Sequence, residues 1–231
     1  VTDLRRRVDA LGQFRVGDVA SPVLSKDDHH HLFKVLRARE GEEIVVTNGA
    51  GQVAMARVDL SSITRISDVV TDPQPPATTV YLAPIRGDRG EWAIAKLTEL
   101  GITTVVPLVC ERLALKFTGE AREKLLGRWR KIAAEASGQC RRSYDLVVAD
   151  PVAVADVPLD VAVAEPGASG SLSTVSAIAI GPEGGWASAE WPENQPRIGL
   201  GDTVLRTETA ALVAGTLLKF GGVQWPRLSS E

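Results

Sequence analysis

The sequence predicts an α/β protein in two parts, a strand-rich, β-barrel-like N-terminal region and a longer α/β region of alternating strands and helices. Three observations carry this. Short β-type runs bounded by turn residues occupy positions 1–70. A proline-rich segment, Asp72-Pro73-Gln74-Pro75-Pro76, then interrupts the chain. Beyond it, apolar strands alternate with helix-period segments, the pattern of a mostly parallel sheet covered by helices. The boundary falls between Asp72 and Pro73, giving domains of residues 1–72 and 73–231.

In the first part, strands are expected at Gln13 to Val16, Ile44 to Thr47, Gln52 to Val58 and Arg65 to Val70. Asn48-Gly49, with Gly51 close behind, signals a hairpin because both residues tolerate positive φ. Asp27 to Arg37 reads as a short helix with Leu32, Val35 and Leu36 on one face. It contains three consecutive histidines, His29, His30 and His31. Consecutive residues on a helix point in different directions, so the run suggests a surface turn rather than a metal site.

In the second part, Thr79 to Ala83 is a strand and Glu91 to Leu100 a helix, with Trp92, Ile94, Ala95 and Leu97 on its apolar side and Gly101 past its end. Thr104 to Val109 is the next strand. Glu120 to Gln139 is a long helix with Leu125, Trp129, Ile132, Ala133 and Ala136 on one face. Strands follow at Asp145 to Val148, Asp160 to Ala164, Ala177 to Ile180 and Ile198 to Leu200. A final helix buries Ala210, Val213, Ala214 and Leu217 and closes at Gly221.

Composition excludes several classes. With 44% hydrophobic and 24% charged residues, the chain is an ordinary globular protein. No apolar run approaches the roughly 18 residues that span a bilayer. Neither a membrane protein nor a secretory leader is expected, and the cytoplasm is the expected compartment. Two cysteines, Cys110 and Cys140, without metal-ligand spacing, predict neither a metal site nor a disulfide framework. The net charge is −3, yet residues 112–142 hold nine Lys and Arg against three Asp and Glu. Such a basic segment in an otherwise neutral or acidic chain fits a polyanion-binding face, and equally a solvated helix flank.

The chain is organised around residues 178–218. A strand ending at Ile180 empties into Gly181-Pro182-Glu183-Gly184-Gly185, and a second run, Leu200-Gly201-Asp202-Thr203-Val204-Leu205-Arg206-Thr207-Glu208-Thr209-Ala210, leads into the last helix. Glycine turns at strand ends are where open α/β proteins place ligands. A P-loop would need a Lys-Ser/Thr pair, and a dinucleotide loop has no place for Pro182. A dinucleotide enzyme with Asp202 as its ribose acid fails on the same missing pattern. A purely structural pair of turns remains, as does helix capping for Thr207, Thr209 and Glu208.

These two blocks resemble the signatures of the RsmE-type 16S ribosomal RNA methyltransferases of the SPOUT superfamily. Further similarity lies, in order, in His30-His31-Leu32, Val35-Leu36-Arg37, Lys96 to Gly101, Glu111-Arg112, Glu135-Ala136, Gln139 and Arg142. The resemblance spans nearly the whole chain. It implies an N-terminal PUA-like RNA-binding β-barrel, a C-terminal SPOUT methyltransferase domain with a deep trefoil knot, S-adenosyl-L-methionine as donor, a homodimer, and N3 methylation of a uridine in 16S rRNA of the small ribosomal subunit. Departures from the pattern are Arg6-Arg7-Val8, Ser143-Tyr144-Asp145, Arg86 in place of a lysine, and a short Gly/Ser-rich stretch between Glu165 and Gly181 where a helix is usual.

On this reading the cofactor contacts are Glu165, Ile180, Gly181, Pro182, Glu183, Gly184, Gly185, Leu200, Gly201, Leu205, Arg206, Thr207, Thr209 and Ala210. Arg206 is the candidate for steadying a uracil anion or a phosphate, and Glu208 for accepting the N3 proton or merely for a salt bridge. RNA contacts fall to His31, Arg37, Arg86, Arg112, Lys116, Arg128, Gln139, Arg141 and Arg142. A SPOUT enzyme acting on tRNA or a ribose 2′-hydroxyl, and an RNA-binding relative without catalysis, are the alternatives.

Overall fold

The computed structural model describes residues 4–170 and 175–221. Its contacts divide the chain into two units, Val1–Pro75 with Ala134–Asp145, and Pro76–Ala133 with Leu146–Glu231. The first unit therefore takes a second piece of chain from beyond the expected boundary at Asp72.

In the first unit α1 (Leu4–Asp9) precedes a five-stranded sheet of β1 (Gln13–Arg15), β2 (Glu43–Thr47), β3 (Gln52–Val58), β4 (Ile63–Arg65) and β5 (Val70–Thr71). β1 runs parallel to β2, and the other pairs are antiparallel. Ile44, Val45 and Val46 are all fully buried because both faces of β2 are covered. Phe14, Leu32 and Ala54 pack on one side, Ala10, Val53 and Met55 on the other. The single strand expected over Arg65 to Val70 is instead two. Between them the Ser67 hydroxyl takes the Met55 N–H, a place that a ladder carbonyl would hold.

The histidine-bearing segment starts as α2 (Lys26–His30), capped by the Ser25 hydroxyl accepting from the Asp28 N–H at 3.0 Å. It then widens into a π-helical turn, His31–Val35, in which the Leu36 N–H reaches the His31 carbonyl. The wider turn breaks the 3.6-residue spacing. Leu32 is buried, while Val35 is 58% exposed and Leu36 lies at the surface, so the expected three-residue apolar face is reduced to one anchor.

Residues 140–145 complete this unit. The Gly51 N–H donates to the Ser143 carbonyl, the Asp145 N–H to the Gly49 carbonyl, and the Tyr144 hydroxyl to the Asp72 carbonyl. Arg15 pairs with Asp145, and Gln13 Nε2 donates to the Arg142 carbonyl. A short antiparallel bridge, Ala50 to Tyr144, thus clasps the β2–β3 turn.

The second unit is a parallel seven-stranded sheet in the order β12-β10-β11-β6-β7-β8, with β9 also on β7. Its elements are β6 (Thr79–Leu82), α3 (Asp88–Glu99), β7 (Thr104–Val109), α4 (Gly119–Gln139) as far as Ala133, β8 (Val147–Val148), β9 (Val152–Ala153), β10 (Ala162–Ala164), β11 (Ala177–Ile180), β12 (Arg197–Ile198) and α5 (Thr207–Phe220). Central strands buried on both faces read as continuous apolar runs, as in Ala-Ile-Ala-Ile of β11. Val80, Ile94, Leu97, Trp129 and Ile178 form the main core. Trp92 departs from expectation and is 47% exposed; Ala93, Ile94, Leu97 and Thr98 form the buried side of α3 instead. α5 likewise buries Ala210, Ala211, Ala214 and Gly215, leaving Leu217 at the surface. The described residues between β10 and β11 contain no helix, and 171–174 lie outside the description.

Candidate active site

Three neighbouring parallel strands, β12, β10 and β11, set the site. The segments leaving their C-terminal ends meet the start of α5 around a cavity of about 420 Å³. Ala164, Glu165 and Pro166 line it from β10. Ile180, Gly181, Pro182, Glu183, Gly185 and Trp186 line it after β11. Leu200, Gly201, Thr203, Val204, Leu205 and Arg206 come from the loop after β12, and Thr207 and Ala210 from α5. This is the rim at which parallel sheets place ligands.

Close packing explains the glycines. A Cβ on Gly181 would stand 3.0 Å from the Trp186 ring. That indole is itself fixed, its Nε1 donating to the Ala164 carbonyl at 3.0 Å and its ring edge-on to Trp191 at 5.1 Å. A Cβ on Gly199 would lie 2.3 Å from the Ala168 carbonyl oxygen. Backbone therefore touches backbone where β12 ends, and the Ser169 to Ile198 bridge lies beside it.

Polar groups at the cavity are few and mostly paired. Glu165 accepts from Arg197 at 2.6 Å. Glu183 accepts from Arg89 at 2.8 Å, and the same guanidinium lies 3.4 Å from Glu208. Thr207 Oγ1 donates to the Gly181 carbonyl. Arg206, at the N-cap of α5, is exposed and has no carboxylate partner among the described residues. It is thus the cation at the rim with charge to spare for a ligand.

The structure gathers the expected cofactor residues on this wall, with two exceptions. Gly184 faces Arg112, whose Cβ and carbonyl stand 3.4 Å from where its own Cβ would be. Thr209 is exposed and, like Glu208, is not part of the wall. Glu208 is buried and ion-paired with Arg89, the salt bridge that its sequence reading offered beside proton acceptance. Ala164, Pro166, Trp186, Thr203 and Val204 are lining residues that the sequence reading missed. Thr203 and Val204 lie inside the second recognised block, Trp186 directly follows the first, and Ala164 and Pro166 flank Glu165, so position in sequence was the available signal.

The residues expected to meet RNA divide by exposure. His31, Arg37 and Gln139 are exposed in the first unit, and Arg86, Arg112, Lys116 and Arg128 in the second. Arg128 pairs with Glu91, and Arg112 Nη1 reaches the Gly184 carbonyl at 3.4 Å. Arg141 and Arg142 are half-buried within the first unit. Arg141 donates to the Ala10 carbonyl at 2.8 Å and Arg142 Nε to the Tyr144 carbonyl at 2.9 Å. Burial lowers the pKa of both guanidinium groups. Their hydrogen bonds hold the clasp, an occupation that sequence reading did not foresee. Among the described residues no cluster of three or more His, Cys, Asp or Glu could hold a metal, and no helix is long and apolar enough to cross a membrane.

The RNA methyltransferase domain family matches residues 72–219, and the RNA methyltransferase PUA domain family matches residues 24–63. A ribosomal RNA small subunit methyltransferase E from Mycobacterium bovis is 31% identical over 84% of this chain and 84% of its own length. This chain belongs to the ribosomal RNA small subunit methyltransferase E family. The methyltransferase E of Bacillus subtilis is 29% identical, covering 85% of this chain and 89% of that one. Among solved members of this fold, a methyltransferase E from Neisseria gonorrhoeae bound to S-adenosyl methionine is 27% identical, with TM-score 0.76 over 90% of this chain and 96% of that one. A methyltransferase from Legionella pneumophila in complex with the cofactor SAM is 27% identical, with TM-score 0.78 over 90% and 97%.

Proposed function

We propose that this methyltransferase E family member methylates N3 of a specific uridine in the 16S rRNA of the small ribosomal subunit, with S-adenosyl-L-methionine as donor. The observation that carries the reading is the cavity at the ends of β10, β11 and β12, walled by both glycine blocks. Its volume of about 420 Å³ falls among small-molecule sites of roughly 300–1,000 Å³. A wall of backbone, aliphatic groups and one indole, with Glu165, Glu183 and Arg206 among them, suits a flat adenine and an aliphatic sulfonium chain. The residues fit the donor, which when bound supplies an electrophilic methyl group on a sulfonium.

The chain's own groups do the rest. The loop after β11, the loop after β12 and the first turn of α5 hold the donor by backbone groups, and Glu165 offers an acceptor beside them. Orientation of this kind contributes roughly 7–11 kcal/mol in well-aligned systems. Arg206 stabilises negative charge on the uracil oxygens as the N3 proton leaves. Glu208, paired to Arg89, is the candidate side chain for accepting that proton.

The same reading includes finer features. A PUA-like barrel in residues 1–72 meets RNA through His31 and Arg37. A SPOUT domain in residues 73–231 carries the deep trefoil knot. Arg86, Arg112, Lys116, Arg128, Arg141 and Arg142 meet RNA phosphates, Gln139 meets RNA beside them, the enzyme works as a homodimer, and its place is the cytoplasm. Nucleoside mass spectrometry of 16S rRNA from a deletion strain tests the function. Loss of 3-methyluridine, restored by the gene, is expected. Retention of that nucleoside, or loss of a modified nucleoside from tRNA instead, would sink the reading.

A further inference from the structure

We propose that Arg89 is a positioning residue of the donor site, a single guanidinium that holds Glu183 of the glycine loop to Glu208 of the α5 start; this rests on the reading that the cavity takes S-adenosyl-L-methionine. Arg89 is the second residue of α3 and does not line the cavity. Its Nη2 donates to Glu183 Oε1 at 2.8 Å, and its Nη1 lies 3.4 Å from Glu208 Oε2. Glu183 is on the cavity wall, and Glu208 follows Thr207, whose hydroxyl holds the Gly181 carbonyl.

The loop after β11 is therefore fixed to α5 at two points. One is the direct Thr207 hydrogen bond. The other runs through Arg89, using both ends of one planar fork. The Glu208 side chain is only 10% exposed, and Arg89 is its cation among the described residues. Removing Arg89 leaves a buried carboxylate uncompensated beside a second carboxylate on the loop. Such a group must move or admit water. Each response displaces residues 181–185, of which Gly181, Pro182, Glu183 and Gly185 line the cavity.

Donor binding to the full chain, measured by calorimetry with S-adenosyl-L-methionine, tests this. Arg89→Met is expected to weaken binding at least tenfold and to raise the donor KM more than it lowers kcat. Arg89→Lys, with a point charge in place of a fork, should recover part of the affinity. Arg89→Met combined with Glu208→Gln should also recover part, because no buried charge is then left unpaired. Should Arg89→Met fail to fold, Glu183→Gln removes only the loop half at the surface, with severalfold weaker binding expected at unchanged Tm. Unchanged affinity in a folded Arg89→Met or in Glu183→Gln overturns the proposal. Absence of binding by the unaltered chain would instead overturn the donor-site reading itself.

Discussion

Thr207 Oγ1 donates to the Gly181 carbonyl across 3.0 Å, so the first residue of α5 holds the loop that leaves β11. Thr207 is 5% exposed, and water cannot readily replace it. Thr207→Val keeps the shape and strips the donor, leaving a carbonyl unsatisfied at a cost of about 1–3 kcal/mol. Urea unfolding should show that loss, with weaker S-adenosyl-L-methionine binding. Thr207→Ser should restore most of both.

Gly199 and Gly127 form a contrasting pair. Alanine at 199 would place a Cβ 2.3 Å from the Ala168 carbonyl oxygen, with no side chain able to give way. Overpacking of this kind costs roughly 1–3 kcal/mol or more. Gly127, inside α4, has open space around it, and Gly127→Ala should stabilise by about 0.5–1 kcal/mol. Thermal melts of the two variants should move in opposite directions.

Acid sensitivity follows from Asp72. Its carboxylate accepts both hydrogen bonds of the Arg7 fork, at 2.6 and 2.8 Å, and these bonds lower its pKa. A depressed folded pKa stabilises fully above the unfolded value of about 3.9, and that stability drains as pH falls through the folded pKa. Asp72→Asn should therefore flatten the decline in unfolding free energy below about pH 5. An unchanged acid limb would refute the assignment.

Burial, reinforced by nearby Glu190, pushes the Cys110 thiol up to about 12. Thiolate is the reactive form. A disulfide-exchange reagent at pH 8 should leave Cys110 unmodified in the native protein and modify it once denaturant is added. Mass mapping of the labelled cysteine provides the measurement.

Exposed Arg37 and half-buried Arg141 should separate in their response to salt. Arg37→Ala is expected to lower the slope of log affinity against log salt for RNA by about one. Arg141→Ala should act first on stability, because its guanidinium holds the Ala10 carbonyl. Equal effects on the salt slope would show Arg141 bearing on phosphate as fully as Arg37.

The strands β3 and β11 were legible to the residue because β-prone runs there end at turn residues, and β7 because its run stops at the charged Glu111-Arg112. The wall of the cavity was legible for a related reason, since it follows strand ends and glycines. Other features depend on partners distant in sequence. Arg89 reads as one more polar turn residue, yet its carboxylates lie 94 and 119 positions away. Arg141 and Arg142 read as a basic pair for RNA, while their hydrogen bonds go to backbone that no local pattern reveals. The π-helical turn at His31 escaped because period analysis assumes 3.6 residues per turn throughout. Trp92 shows the converse, an aromatic residue that fits a helical stripe and still faces outward.

The clasp of residues 140–145 has a consequence for synthesis. When Pro75 leaves the ribosome, the β2–β3 turn still lacks the carbonyl of Ser143 and the N–H of Asp145. Residues 76–133, which belong to the other unit, must be translated before those partners exist. The N-terminal unit is begun first but finished late, and a fragment ending at Pro75 would carry an open seam along Gly49 and Gly51.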